Sequence, residues 1–268
     1  MTTTETRPAV SPTFESLRKA VQEASLLGSC ASVLHWDQET YMPPEGIQHR
    51  GNQLSLLARL AHERATSQEI GDMIAACEAD DDVVSDPCSD EAVTVRRIRH
   101  DYDRATRIPS DMVAEEAQLA SQSQHHWAEA RRQSDFSQFE PWLAKVIQLL
   151  RRKAECYGWA EGGEAWDALA EDYEPGCTAA WVSSVFTPLR DRLQGLLDQL
   201  MGSSTPPSNA FNEMSLPRDQ QEAFVRDIAS CIGFDFKRGR LDVSTHPFCT
   251  GFHANDVRIT TRFHDSNV

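Results

Sequence analysis

The chain is predicted to be mainly α-helical, with one short β region near its C-terminal end. Three observations carry that prediction. Apolar residues recur every three or four positions along most of the sequence. Clusters of Gly, Pro and Asp interrupt those runs at helix-length intervals. Strict alternation of apolar and polar residues is found in one region, Asp256-Val257-Arg258-Ile259-Thr260-Thr261-Arg262-Phe263.

The first helix follows Phe14, Leu17, Val21, Ala24 and Leu27, and Gly28 is expected to break it. After Met42-Pro43-Pro44-Glu45-Gly46, helical spacing resumes with Leu54, Leu57, Leu60 and Ala61. Asp80-Asp81-Asp82 with Ser85-Asp86-Pro87 reads as a solvated loop, because charge and proline both oppose burial. Ser89 or Asp90 caps the next helix, whose charged face carries Arg96, Arg97, Arg99 and Asp103. Ser110, after Pro109, offers its oxygen as the cap of a helix through Met112, Ala114 and Ala117. Ser134 or Asp135 does the same for a helix through Phe139, Leu143, Val146, Leu150 and Cys156.

Residues 157–176, rich in Gly and aromatics, read largely as turn. Thr178 caps a helix carrying Trp181, Val185, Phe186, Leu189, Leu193 and Leu197. Residues 203–208 form a flexible loop between two helices of one domain, the second running from Asp219 to Ile232. The strand region comprises Leu241 to Phe248 and then 256–263, where Val257, Ile259 and Thr261 supply β-branched side chains.

With 41 acidic against 26 basic residues and a formal net charge of -15, the chain lacks the positive charge that nucleic acid or an anionic membrane surface demands. Seven cysteines, odd in number and widely spaced, read as reduced thiols of a cytoplasmic protein. The polar N-terminus has no secretory apolar core, and no run of eighteen apolar residues occurs.

Side chains able to hold a metal are sparse. His62-Glu63-Arg64-Ala65-Thr66 places threonine where a helical zinc motif needs its second imidazole, so His62 reads as a helix-surface histidine. His125 and His126 are adjacent and read as a solvated face beside Trp127. His246, His253 and His264 crowd around the strand region without defining a metal site. Composition and spacing alone imply a soluble helical domain.

Five ordered segments carry a resemblance. They are Trp36-Asp37-Gln38-Glu39-Thr40-Tyr41-Met42-Pro43 with Arg50, Gln53 and Leu57; Arg107-Ile108-Pro109 with 135–141; Asp167-Ala168-Leu169 with Asp172-Tyr173-Glu174-Pro175-Gly176; His246-Pro247-Phe248; and Asp256-Val257-Arg258-Ile259-Thr260. Together they resemble the carboxypeptidase Taq family of zinc metallocarboxypeptidases, with Trp166 where the family has tyrosine.

The resemblance implies a helical, two-lobed fold similar to angiotensin-converting enzyme and neurolysin, with a small antiparallel β element near the C-terminal end of this chain and with residues 1–268 as the N-terminal part of one catalytic domain. It also implies release of single C-terminal residues from peptides with broad specificity, zinc or another divalent metal as cofactor, and a homodimer in the full-length family. His246, Pro247, Phe248, Asp256, Arg258 and Thr260 are the implied substrate-binding residues. The strand bearing Asp256 to Thr260 would then be an edge strand able to pair with a peptide backbone. His246 would donate a hydrogen bond to substrate or to the developing oxyanion, and Arg258 would position acidic side chains or the substrate carboxylate.

In the family pattern the His-Glu-x-x-His helix follows the acidic stretch that begins at His264-Asp265, so neither metal ligands nor a catalytic base are assigned in this chain, and the chain alone is expected to be inactive. The alternative, of another class, is a catalytically dead helical module that binds peptides or a partner.

Overall fold

The computed structural model describes residues 11–205, 208 and 215–264. The chain divides into two compact units, one made of Met1–His35 and Pro44–Tyr157, the other of Trp36–Pro43 and Gly158–Val268. Among the described residues no helix is long and apolar enough to cross a membrane.

The first unit is helical. Helix α1 (Pro12–Thr40) runs through Gly28 without a break and contributes its last residues to the second unit. A helical glycine costs about 1 kcal/mol relative to alanine. Burial of Phe14, Leu17 and Ala20 in the core outweighs that cost, as does the bond from the Arg50 guanidinium to the Leu34 carbonyl. Helix α2 (Ile47–Ala65) packs along α6 (Ser110–Gln133), while α3 (Gln68–Glu78) and α5 (Asp90–Ala105) close over α1.

The acidic run expected to be loop is instead a one-turn helix, α4 (Asp81–Val84). The Asp80 carboxylate accepts from the Asp82 N–H at 3.1 Å, and Val83, 1% exposed, is drawn into the core with Ile70, Ile74, Cys77 and Val95. Charge on three residues did not decide the segment because one valine among them faces inward.

Ser89 caps α5, its hydroxyl accepting from the Ala92 N–H at 3.1 Å. Ser110 does not cap α6: Pro109 holds that position with extended backbone angles, and Ser110 is already helical. Ser134, at φ 53°, ends α6 in a left-handed turn, and Asp135 starts the short 3₁₀ turn before α7 (Glu140–Tyr157). His62 lies 2.9 Å from the Ile108 carbonyl through Nε2. His126 stacks on Trp142, with ring centroids 4.3 Å apart, rather than lying as a solvated face beside Trp127, and burial pushes its pKa down.

In the second unit, α8 (Ala165–Ala170) interrupts the expected turn and α9 (Ala179–Met201) follows. Asp167 accounts for both starts. One of its oxygens accepts from the Glu164 N–H at 3.0 Å and the other from the Ala179 N–H at 2.7 Å. Thr178 caps α9 through the Trp181 N–H. Of the loop expected at 203–208, residues 206 and 207 lie outside the described residues, as do Asp265 to Val268. Helix α10 (Arg218–Cys231) precedes β1 (Gly239–Val243), β2 (Cys249–His253) and β3 (Asp256–Thr261).

The sheet order is β1-β3-β2. The β2–β3 pair is antiparallel, as expected, and β1 adds a parallel partner on the other side of β3. The strand Asp256–Thr261, expected at an edge, is therefore central, with its backbone paired on both sides. Among the described residues the free edges belong to β1 and β2. At Gly239 a Cβ would stand 2.9 Å from the Val257 carbonyl oxygen, so the parallel pairing requires glycine there.

Candidate functional site

The predicted site residues gather on the sheet of the second unit, in two linked clusters. In the parallel register Arg240 faces Arg258 and Asp242 faces Thr260. Since residues two apart on a strand share a face, Arg240, Asp242, Asp256, Arg258 and Thr260 form one polar face. Side-by-side like charges destabilise a sheet unless compensated.

Compensation comes from two sources. Each guanidinium has its own carboxylate: Arg240 meets Asp242 through two contacts of 2.7 Å, and Arg258 meets Asp256, with one contact at 3.0 Å. Both also lie over the indole of Trp36, with guanidinium carbons 5.0 Å and 4.5 Å from the ring centroid. Phe252 flanks Arg258 at 5.3 Å. Trp36 is 7% exposed, and Tyr41 beside it donates its hydroxyl to Asp242 and receives Arg240 at 3.1 Å. Trp36 at the end of α1 and Tyr41 just after it thus cover the polar face with two aromatic rings.

These contacts set the protonation chemistry. Burial alone would raise the Asp242 carboxyl, but hydrogen bonds from Arg240 and Tyr41 outweigh it and hold the carboxyl below its usual range. The same bond to Asp242, with burial, pushes the Tyr41 phenol above its usual value. Arg258 holds Asp256 below the ordinary carboxylate range.

The second cluster is the turn from β1 to β2. The Thr260 hydroxyl oxygen accepts from the Phe248 N–H at 2.8 Å and lies 2.7 Å from the Ser244 hydroxyl oxygen. The Thr260 N–H donates to the Phe248 carbonyl at 2.9 Å, and Ser244 Oγ stands 2.9 Å from the His246 carbonyl. Ser244 and Thr260 are buried, at 5% and 8% exposed, whereas His246 and Pro247 are exposed. A rigid pair of hydroxyls therefore holds His246-Pro247-Phe248 outward, immediately before the free-edged strand β2.

Of the six residues expected at the site, His246, Pro247 and Phe248 lie in the turn, Thr260 of β3 bonds to it, and Asp256 and Arg258 lie in the aromatic-capped charge cluster. His253 and His264 do not join His246 in a metal site. His253 Nδ1 accepts from the Asn255 N–H at 3.2 Å, and His264 uses its carbonyl to accept from Gln221 at 2.7 Å. Among the described residues no group of three or more His, Cys, Asp or Glu could hold a metal ion. Sequence reading missed Tyr41, Arg240, Asp242, Ser244 and Phe252. The alternation Arg240-Leu241-Asp242-Val243-Ser244 was the available signal for three of them.

A family model described as carboxypeptidase Taq (M32) metallopeptidase matches residues 16–268. The thermostable carboxypeptidase 1 of Thermus thermophilus is 37% identical over 259 residues, with 94% of this chain and 51% of that protein covered. Among solved structures, the BsuCP crystal structure superposes with a TM-score of 0.89 at 27% identity, over 96% of this chain and 51% of that one. A Pyrococcus furiosus carboxypeptidase gives a TM-score of 0.79 at 31% identity, over 97% and 52%. The chain spans about half the length of the curated relatives it matches.

Proposed function

Because the chain belongs to the carboxypeptidase Taq (M32) metallopeptidase family, we propose that it is the peptide-holding part of a metallocarboxypeptidase that releases single C-terminal residues with broad specificity. The observation that carries this reading is the free edge of β2 beside the outward-held turn His246-Pro247-Phe248. An extended peptide can add to such an edge as a further strand, its backbone supplying affinity irrespective of side chains. Main-chain recognition of that kind fits broad specificity.

His246, Pro247 and Phe248 meet the peptide in this reading, and His246 donates to a peptide carbonyl. Thr260 fixes the turn, while Asp256 and Arg258 fix the strand behind it. The family implies a divalent metal, and zinc enters the reading through the family alone. The described residues do not fit a metal site. All seven cysteines are unpaired, which supports a reducing, cytoplasmic compartment.

A second reading is favoured by the free β2 edge together with the lack of a metal-holding group among the described residues. It is a module that binds peptides without cleaving them. Incubating the purified chain together with the half of the Thermus thermophilus relative that it does not match, with N-blocked peptides and zinc, cobalt or manganese, followed by mass spectrometry and calorimetry, separates the two. Release of single C-terminal residues supports the carboxypeptidase and internal cleavage overturns it. Binding without release leaves the module, and neither binding nor release removes both.

A further inference from the structure

A polar groove runs between α6 and α7, wholly within the first unit, and encloses about 300 Å³. Glu115, Gln118 and Gln122 line one wall, and Lys145, Gln148 and Arg152 line the other. Both sets are spaced by three and then four residues, so each wall is a single helix face. Leu149, 3% exposed, belongs to the floor. A face left for another part of a fold to cover is apolar, whereas these walls carry the amides and charges of a solvent-facing surface. The opening therefore belongs to the first unit in its own right.

The two ends of the groove differ in charge. At one end both oxygens of Glu115 stand 3.0 Å from Arg152 Nη1. That pair is exposed, and a carboxylate keeps acceptor sites for a second cation. At the other end Lys145 has no carboxylate partner among the described residues. Its ammonium lies 4.3 Å from the centroid of the Trp142 ring, which is itself stacked on His126. Between the ends, Gln118 and Gln122 donate to Asn52 and Gln48 of α2 at 3.3 and 3.0 Å, which leaves their side-chain oxygens as acceptors. Lys145 and Arg152 stand two turns apart, about 10 Å along α7.

We propose that the α6–α7 groove is a binding site for a short peptide with both termini free, its C-terminal carboxylate on Lys145 and its N-terminal ammonium on Glu115. An extended chain of about three residues covers the distance between those two groups. Its backbone N–H groups meet the oxygens of Gln118 and Gln122, and an apolar side chain at its C-terminal end lies against Trp142 and Leu149. A single amino acid carries both charges on neighbouring atoms and reaches only one end. The proposal does not rest on peptide cleavage, because the groove belongs to the first unit and the strand edge β2 to the second.

The test is calorimetry with the tripeptide Gly-Gly-Leu, in EDTA so that no metal-dependent cleavage intervenes. One-to-one binding is expected, with none for free leucine. The N-acetylated and the C-amidated tripeptides are each expected to bind at least about tenfold more weakly, since each loses a charge-assisted bond. Lys145→Gln is expected to erase the difference between acid and amide, and Glu115→Gln the difference between free and acetylated amine. Both side chains are exposed, so circular dichroism stays unchanged. Co-expression with the half of the Thermus thermophilus relative that this chain does not match leaves the affinity as it was. No binding, equal binding of the blocked forms, discrimination that survives the substitutions, or loss of binding on co-expression would each overturn the proposal.

Discussion

The Tyr41 hydroxyl donates a hydrogen bond to the Asp242 carboxylate across 201 positions of sequence. Asp242, whose side chain is 3% exposed, also takes two contacts from Arg240. A buried carboxylate must be satisfied by donors, and Tyr41 supplies one that the strand cannot. Tyr41→Phe removes that donor while keeping the ring over Arg240. The expected loss is about 1 kcal/mol, at the low end for a buried group losing one of several partners. Urea unfolding with an unchanged slope measures it.

Acid sensitivity follows from the same carboxylate. The folded Asp242 titrates below its usual value, so on acidification the unfolded chain takes up its proton first. Its stabilisation is whole above about pH 4, the ordinary carboxylate value, and is lost as pH falls through the lower folded value. Asp256 is depressed as well, by Arg258. Comparing urea midpoints of the wild type and Asp242→Asn from pH 6 to pH 3 isolates the Asp242 share. The two curves are expected to converge below pH 4, and parallel curves would show that the bond contributes no pH dependence.

Trp36 separates packing from hydrogen bonding. Its indole N–H has no hydrogen-bond partner among the described residues, so Trp36→Phe costs only area and cation–π attraction. Trp36→Ala opens a cavity and uncovers Arg240 and Arg258, which face each other across the strands. A loss of about 3–5 kcal/mol is expected for alanine and clearly less for phenylalanine. Equal losses would mean that an indole hydrogen bond matters.

The helices were legible in sequence wherever apolar spacing was regular and a capping side chain was present, as at Ser89 and Thr178. Gly28 and the Asp80 to Asp82 run misled because local propensity was overridden by burial on either side. The strand region was legible from the alternation of 256–261, but strand order was not. Nothing local in Asp256–Thr261 says that β1, which precedes it by an intervening strand, returns to pair on its outer side. The turn motif His246-Pro247-Phe248 was found by resemblance. Its partner Ser244, and the Tyr41–Asp242 bond, join residues too far apart in sequence for spacing to connect them.

Thr260 offers the sharpest separation of site from scaffold. Its side-chain oxygen meets the Phe248 N–H at 2.8 Å and Ser244 at 2.7 Å, while its backbone pairing to Phe248 needs no side chain. Thr260→Val keeps shape and removes the oxygen, leaving one buried hydroxyl and one N–H short of a partner, at a cost of about 1–3 kcal/mol. The turn then loses its lock but keeps its strand. Peptide affinity, measured by calorimetry on the folded variant, is expected to fall several-fold, and Thr260→Ser should restore most of it. Thr261→Val changes a residue on the opposite face of β3, and it is expected to leave both stability and affinity near wild type. Equal effects at 260 and 261 would show that the hydroxyl pair has no special part in presenting His246.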